Sequence, residues 1–504
     1  MFRYLHTLSA VCTALLASAC ITYRLPPASV AAPTAATPVV AAPPFPQAPQ
    51  AAPTGVAFLP SIANSPDQPP ARRVNAPYFA NNTILEHEAG IFWLGKVNAT
   101  DNYADVRVGY GDTGLFIKLL IFDRRLWYNP NPTPADLTAW DSATILIQTA
   151  GNTGDRPATT SYRLDAQLTD WETDRSQWQA AYQGNGTAWT ASLVSFSTQT
   201  HYAWESPYVG GVNNNQNNRG WTLIYHIPFS SLGFAAPPAQ GAVWGLGVQL
   251  HDRDDSAGTP ITDKLWPENL TRDRPSSWGQ LHFGLPTYNA PAVSTRTTIT
   301  IQNGWQGAVV TDIGAGGTIS RQCPGDPNFV WNQWGDANYA GAPNFLIQNQ
   351  GDVTDWPCFA KAYINFPLDT IPKGKRIVSA TLTLHEWGGS DPTQAWPSLV
   401  QLFTVRDNWN PATLTWNNAP LALENVSRAW VDVYSLIPPQ WPGAAIVWDV
   451  SYALAQSYAA NQPLRLAIYE ADTAMHSGKY FTGSSEGDWN AAGRPMLTVI
   501  YGSP

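Results

Sequence analysis

Closely spaced carboxylates are the clearest candidates for chemistry in this sequence. Asp252, Asp254 and Asp255 lie within four positions, and Asp263 and Glu268 follow shortly after them. Glycosidases need two carboxylates, about 5 Å apart in retaining enzymes and roughly 6.5–9.5 Å apart in inverting ones. Acidic loops also bind Ca²⁺, because hard cations take oxygen ligands. The cluster therefore indicates either a solvated turn or a structural Ca²⁺ site at Asp252, Asp254 and Asp255.

Other catalytic signatures are missing from the sequence. There is no G-x-S-x-G elbow, no H-E-x-x-H pair and no P-loop, and the eight histidines are scattered along the chain. A nucleophile with its base, or a metal-bound water, would need such groupings. We therefore expect a protein that binds its ligand without catalysis and that requires no cofactor other than a structural Ca²⁺.

Aromatic residues offer a different kind of chemistry. The chain has 23 Trp and 20 Tyr, and many of the Trp residues lie in segments rich in Gly, Asn, Asp and Pro. Sugar rings have apolar C–H faces and a rim of hydroxyls, so they bind to flat aromatic side chains flanked by polar groups. Some of these Trp residues must fill cores, but the pattern favours carbohydrate binding.

The charge of the chain excludes several partner classes. Charged residues make up 13% of the sequence, the net charge is −9, and there is no basic run. Nucleic acid and anionic lipid bind to clustered Lys and Arg. We expect neither as a partner.

The N-terminus has the features of an export signal. Arg3 precedes a short apolar run over residues 8–19, which is too short to span a bilayer. The run ends in residues 16–20 (LASAC), which resemble the lipobox of bacterial lipoproteins and predict acylation of Cys20. Ordinary cleavage after Ala19 is the alternative. We expect a signal peptide over 1–19 and a lipid-anchored protein at the cell surface, or a secreted one if Cys20 is not acylated.

A linker and a disulfide complete the expected organisation. Residues 20–72 are Pro/Ala-rich, which predicts a disordered linker, since such a chain cannot bury a core. Beyond Cys12 and Cys20, the chain has only Cys323 and Cys358. In an exported protein they predict a disulfide, and neither belongs to a paired Cys motif of the kind that binds metals.

The elements that must position these residues are short strands. Apolar runs separated by Gly- and Asn-containing turns recur from residue 73 onward, and 449–461 is the best helix candidate. A Pro/Ala/Ser stretch at 286–294 divides the pattern in two. We expect an all-β chain with two jelly-roll-like β-sandwich domains, over 73–285 and 293–503.

The first predicted domain resembles the family 9 carbohydrate-binding modules and their DOMON-like relatives. The resemblance rests on segments in family order: 114–123 (GLFIKLLIFD), 140–147 (WDSATILI), 161–164 (SYRL), 226–233 (HIPFSSLG), 252–254 (DRD) and 275–282 (PSSWGQLH). It implies that Trp140 and Trp266 clasp a sugar, with Arg163 as a polar contact. Trp278 matches a core aromatic residue of the family, and Thr144 replaces a hydrogen-bonding Glu of many relatives.

The second predicted domain resembles the DNRLRE domain, a jelly-roll family related to family 96 carbohydrate-binding modules. The similar segments are 338–341 (NYAG), 368–384 (LDTIPKGKRIVSATLTL), 414–420 (LTWNNAP), 448–451 (WDVS), 481–486 (FTGSSE) and 494–501 (RPMLTVIY). Trp331, Trp334 and Lys361 are the candidates for a second binding site.

The sequence thus predicts a surface protein that captures polysaccharide or cell-wall glycan and supports carbohydrate catabolism. An adhesion or wall-scaffold protein without a soluble ligand is one alternative, and a non-catalytic part of a glycoside-hydrolase system is another.

Overall fold

A computed structural model describes residues 71–169, 174–202, 211–317, 327–351, 359–389, 393, 395–434, 440–474 and 477–504. The signal peptide, nearly all of the linker, Cys20, Cys323 and Cys358 lie outside these residues. The expected acylation and disulfide therefore stay predictions.

Thirteen strands form the first half of the described chain, which we call the first sandwich. They are β1 (Arg73–Ala76), β2 (Gly90–Asn98), β3 (Asp101–Tyr110), β4 (Gly114–Phe122), β5 (Ser142–Gln148), β6 (Ser161–Gln167), β7 (Gln179–Gly184), β8 (Trp189–Ala191), β9 (Ser197–Tyr202), β10 (Trp221–Pro228), β11 (Val243–Arg253), β12 (Pro260–Trp266) and β13 (Gly279–Phe283). The first outer sheet has the order β1-β13-β11-β5-β6-β7-β8, with β12 also paired to β11. The first inner sheet has the order β2-β3-β4-β10-β9.

The second half forms the second sandwich. Its elements are β14 (Thr297–Gln302), β15 (Thr311–Gly316), α1 (Pro327–Asn332), β16 (Asn344–Ile347), β17 (Ala360–Phe366), β18 (Arg376–Gly389), β19 (Ser398–Thr404), β20 (Glu424–Val431), β21 (Ala444–Asp449), α2 (Ser451–Ala459), β22 (Leu464–Glu470), β23 (Lys479–Thr482) and β24 (Met496–Gly502). The second outer sheet has the order β14-β24-β18-β23-β16, with β21 also paired to β18, and the second inner sheet has the order β15-β17-β22-β19-β20.

The predicted all-β fold is confirmed, since strands dominate the described residues and the two α-helices among them are short. In the part of the chain that the structure describes, no helix has the length and apolarity to cross a membrane. The predicted domain boundaries stay a prediction, because all described residues belong to one compact unit.

Each sandwich has its own core between its two sheets. In β4, Leu115, Ile117, Leu119 and Ile121 alternate toward the first core. In β18, Leu382 and Leu384 do the same for the second core. This alternation follows from the period of two along a strand.

A third core joins the two inner sheets. Leu120 and Phe122 on the opposite face of β4 belong to this core, together with Tyr469 of the second inner sheet and with Phe359, which directly precedes β17. Strand β4 is therefore apolar on both faces because both faces are buried. The four sheets consequently lie in the order outer, inner, inner, outer.

Asparagine side chains of the second sandwich bind backbone groups of the first sandwich by imitating a strand neighbour. The Asn417 side chain accepts from the backbone N–H of Val97 at 2.8 Å and donates to its carbonyl at 2.9 Å. Asn425 accepts from the Asn75 backbone N–H at 2.7 Å and donates to the Asn75 carbonyl at 3.0 Å. Each pair satisfies two backbone groups that burial would otherwise leave without partners.

Lys361 lies inside the third core, fully buried. Its Nζ is 3.8 Å from the ring centroid of Trp416, 4.4 Å from Trp93, 5.2 Å from Tyr103 and 5.9 Å from Tyr469. Burial lowers the pKa of Lys361 to about 7, although the nearby carboxylate of Asp105 opposes the shift. Attraction of the cation to the rings offsets part of the cost of burying it.

The second-site candidates from the sequence are therefore corrected. Trp331, Trp334 and Lys361 are all buried in the third core and offer no face to a ligand. The Trp331 indole donates to the carbonyl of Asn218 in the first sandwich, and Trp334 packs against Trp416. These side chains join the two sandwiches, since the large apolar faces of the inner sheets need bulky residues to fill the space between them.

We expect Trp334→Ala to lower the free energy of unfolding by about 3–5 kcal/mol, as for other buried Trp side chains, and to leave glycan retention unchanged in the folded protein. Trp430→Ala is the matched control, because that indole is half exposed and its loss should change stability by only about 0.5 kcal/mol. Chemical denaturation and retention on a polysaccharide matrix measure the two effects. If Trp334→Ala lost glycan retention while its free energy of unfolding stayed unchanged, Trp334 would be a ligand contact and the correction would be wrong.

Candidate functional site

The candidate site is the face of the first outer sheet that points away from the first core, on strands β5, β6 and β11, where Arg163 and Gln249 are partly exposed. Ile145 on β5, Leu164 on β6 and Val248 on β11 face the first core. Because side chains alternate along a strand, their neighbours Thr144 and Arg163 lie on the other face. That face carries the polar residues of all three strands.

Asp165 is the fixed centre of this polar face. Its buried carboxylate accepts from Thr144 Oγ1 at 2.7 Å and from Arg163 Nε at 3.0 Å, and Arg163 Nη2 lies 2.6 Å from its other oxygen. Two N–H groups of one guanidinium hold the carboxylate, which fixes the plane of the guanidinium. Arg163 also lies over the ring of Tyr182, 4.7 Å from the centroid. Arg163 is thereby held in one orientation while part of its side chain stays exposed.

A histidine extends the same network toward β12. His251 Nε2 lies 3.1 Å from Thr144 Oγ1, and its Nδ1 lies 3.0 Å from Asp263 Oδ2. Burial would raise the pKa of Asp263, but the hydrogen bond and charge of His251, with Arg253 and Lys264, outweigh it and lower that pKa. The carboxylate of Asp263 therefore stays ionised beside the imidazole.

Gln249 is a site residue that the sequence reasoning missed. It pairs with Thr144 across β11 and β5, and its Oε1 is buried without a hydrogen-bond partner. A buried amide oxygen without a partner is costly unless a ligand or water satisfies it. The alternation of β11 could have found it, since Val248 and Leu250 face the core and Gln249 must face away.

Trp140 lies where the chain enters β5, at the rim of the polar face, and it is partly exposed. The turn between β11 and β12 lies beside it: a Cβ at Gly258 would be 3.5 Å from Cζ2 and Cη2 of the indole. One edge of the ring is therefore held by the turn.

Trp266 does not form the second half of a clamp, which corrects the expectation from the sequence. It is 1% exposed and stacks on Phe92 with ring centroids 4.0 Å apart. The cause is its register: Trp266 pairs with Val248, which faces the core, so the indole also points inward. Trp278, expected to pack, is buried against Trp189. Among the three residues expected at the site, the structure therefore brings Trp140 and Arg163 to the same face of the sheet and leaves Trp266 in the core.

A cluster of carboxylates lies at the ends of β4 and β11. Oxygen atoms of Asp123, Asp252 and Asp254 lie within 4.8 Å of one another. Asp123 Oδ2 and Asp252 Oδ1 are buried without a hydrogen-bond partner. Burial, followed by the charge of Asp254, raises the pKa of Asp252 to about 7. Burial and the neighbouring carboxylates, including Asp141, also raise the pKa of Asp123. Such oxygens are suited to a hard cation such as Ca²⁺.

Asp255 does not belong to this cluster, which corrects the expected ligand set. It is partly exposed, and its carboxylate accepts from the backbone N–H groups of Ala257 and Thr259 at 2.9 and 3.0 Å. It therefore stabilises a turn. Asp123 takes its place in the cluster, and no local spacing could have indicated that because Asp123 is distant in sequence.

Residues 319–499 match the sequence model of carbohydrate-binding module family 96. The predicted relationship of the second domain to that family is confirmed over these residues, which are less than half of the chain. No curated protein sequence matches the chain.

Solved structures with similar folds include sugar complexes. One is a family 9 carbohydrate-binding module from Caldicellulosiruptor kristjanssonii in complex with cellotriose, at 14% identity, covering 44% of this chain and 98% of that chain with a TM-score of 0.30. The same organism's family 9 module with glucose covers 44% and 100%, at 14% identity and a TM-score of 0.29. A proposed carbohydrate-binding protein from Bacteroides uniformis covers 42% and 99%, at 10% identity and a TM-score of 0.30. At these values the similarities bear on neither the ligand nor the site residues of this chain.

Proposed function

We propose that this chain binds carbohydrate, and that its principal site is the polar face of the first outer sheet. The observation that carries the proposal is the guanidinium of Arg163, fixed by the buried carboxylate of Asp165 and partly exposed on the same face as Gln249, whose amide oxygen has no hydrogen-bond partner. The match of residues 319–499 to a carbohydrate-binding family supports the same ligand class.

The chemistry of this face suits a sugar ring. The guanidinium of Arg163 donates and the Oε1 of Gln249 accepts, so hydroxyls of a sugar chain, which can do both, would satisfy them. The indole of Trp140 at the rim would contact the C–H face of a ring. Because Arg163 is already fixed, little side-chain entropy is lost on binding.

We expect Trp140→Ala and Gln249→Ala each to weaken glycan binding by about tenfold or more, as loss of a central contact does, with the melting temperature nearly unchanged. Binding to a panel of polysaccharides is measured first by glycan array and then by titration calorimetry. Trp430→Ala is the control for loss of a half-exposed indole elsewhere.

Two outcomes would contradict this assignment. If both variants bound glycan as tightly as the unmodified chain, the binding site would not be on the first outer sheet. Retention on intact cell walls without affinity for any isolated glycan would instead favour the adhesion or scaffold function.

We also propose that Asp123, Asp252 and Asp254 bind a structural Ca²⁺. Three carboxylates with two unpartnered buried oxygens repel one another unless a cation or protons neutralise them. The ion would fix the end of β4 against the end of β11 and thereby position the strand that carries Gln249 and His251.

At pH values above 7, added Ca²⁺ should therefore raise the melting temperature of the protein. Asp123→Asn should abolish this response, whereas Asp255→Asn, a change to a carboxylate outside the cluster, should keep it.

In EDTA the native protein binds more protons than the unfolded chain between about pH 4 and 7, because the pKa of Asp252 is raised to about 7. Stability without metal should then increase as the pH falls through 7. A melting temperature indifferent to Ca²⁺ at every pH would contradict the proposal.

We further propose that the protein is exported and held at the membrane by a lipid on Cys20, as the LASAC segment at 16–20 indicates. Cys20→Ser should move it from the membrane fraction to the soluble exported fraction, measured by detergent partition of whole-cell extracts. Cys12→Ser is the matched control, and its partition should not change. Equal partition of the Cys20 variant and the unmodified chain would contradict the lipid anchor. Ordinary cleavage after Ala19, followed by secretion, would then be the remaining alternative.

A further inference from the structure

Three indoles form a patch at one end of the second outer sheet, which we call the indole patch. Trp387 lies near the end of β18, Trp441 lies between β20 and β21, and Trp489 lies between β23 and β24. The ring centroids of Trp387 and Trp441 are 5.5 Å apart, and those of Trp441 and Trp489 are 4.9 Å apart. Trp387 also packs on Tyr480, 5.7 Å away.

The indole patch is open to solvent. Trp489 is 66% exposed and Trp441 is 43% exposed. Contiguous exposed apolar groups on a soluble protein mark an interaction surface, because leaving them in water is unfavourable. Their edge-to-face packing holds the rings of Trp441 and Trp489 in place at an interplanar angle of 85°.

The exposed hydrophobic surface of the second sandwich consists mainly of indole rings. The other large hydrophobic residues exposed in the described part of the second sandwich are Trp305, Val309, Trp396, Trp430 and Val447. Trp therefore dominates, and Leu, Ile, Met and Phe are not among these residues. Flat indole rings suit the C–H face of a pyranose, and the match of residues 319–499 to a carbohydrate-binding family favours a sugar over a protein as the occupant.

Hydroxyl groups lie on the same side of the sheet. Leu382 and Leu497 face the second core, so Thr381, Thr383 and Thr498 face away from it. Thr381 and Thr498 are direct neighbours on β18 and β24 and are partly exposed. The hydroxyls of Thr381 and Thr498 offer donors and acceptors to a sugar chain, whereas Thr383, which is closer to Trp387 along β18, is buried.

The charges near the indole patch disfavour an acidic ligand. Asp488 is almost fully exposed next to Trp489. The nearby cations that the structure describes, Arg494 and Lys479, are buried and already donate hydrogen bonds, Arg494 to Asp488 and Lys479 to Ser398. A polyuronate would therefore meet a carboxylate at the patch and no free cation among the described side chains.

We propose that the indole patch is a second carbohydrate site that binds a neutral polysaccharide. It takes its ligand class from the proposed function, but it is independent of the site at Trp140. It replaces the buried candidates Trp331 and Trp334 as the binding surface of the second sandwich.

The test is a set of variants of the full chain: Trp489→Ala, Trp441→Ala, Trp140→Ala, the combination of Trp140→Ala with Trp489→Ala, and the control Trp430→Ala. Each is titrated with a neutral xylan, a neutral mixed-linkage β-glucan and the anionic polymer alginate. In the Trp140→Ala background, Trp489→Ala should weaken binding of a neutral polymer by about a further tenfold, which corresponds to 1.4 kcal/mol. Added salt should have little effect, since no ion pair forms with the ligand.

The outcomes separate the two sites. Loss of all binding in Trp140→Ala, with no effect of Trp441→Ala or Trp489→Ala, would overturn the second site and leave the first. Loss only in Trp441→Ala and Trp489→Ala would overturn the first site and leave the second. Preferential, salt-sensitive binding of alginate at the patch would overturn the neutral ligand class. A chain that binds no polysaccharide would overturn both proposals.

Trp489→Phe should retain most of the affinity, which distinguishes stacking from a role of the indole in folding.

Discussion

The structure depends on the burial of both faces of its two inner sheets. Strand β4 carries Leu119 toward its own core and Leu120 toward the second sandwich, so neither face can be left in water. An ordinary sandwich hides one face of each sheet, but here the second inner sheet covers the first. The outer sheets then keep a face that is not covered by another sheet. One proposed binding surface lies on such a face, and the indole patch lies at the end of the other outer sheet.

Polar groups inside the third core determine how the inner sheets can fit together. Asp105 accepts hydrogen bonds from Tyr103 of its own strand at 2.7 Å and from Tyr469 of the other sandwich at 2.8 Å. Lys361 lies among rings from both sandwiches, and Arg107 donates across the boundary to the carbonyl of Gln350 at 2.6 Å. Apolar surfaces alone would tolerate sliding, whereas each of these groups loses its partners if the sheets shift. The hydrophobic contact supplies most of the stabilisation, and these hydrogen bonds select one arrangement.

Local patterns in the sequence predicted the elements well. Alternating apolar residues and turn-formers indicated the all-β fold, and the expected helix at 449–461 appears as α2, where Asp449 accepts from the Ser451 backbone N–H at 2.8 Å. The predictions that were wrong depended on contacts between segments that are distant in sequence. Tryptophan occurs both in cores and at sugar sites, so its position in a loop could not reveal that Trp334 packs between sandwiches. The direction of Trp266 depends on its pairing with Val248, and the inclusion of Asp123 in the acidic cluster depends on where β4 ends. Neither follows from residue type or spacing.

The order of the sheets also has a consequence for valency. The exposed faces of the two outer sheets point in opposite directions, and with packed sheets about 10 Å apart they are separated by roughly 30 Å of folded protein. The third core holds them rigidly, so one straight polymer strand cannot lie on both. If both faces bind polymer, they must bind different polymer strands, and the molecule would then be a bivalent cross-link. Once the first face has bound, the second face meets polymer at a raised local concentration. In a network of fibres such an arrangement would favour junctions over isolated chains.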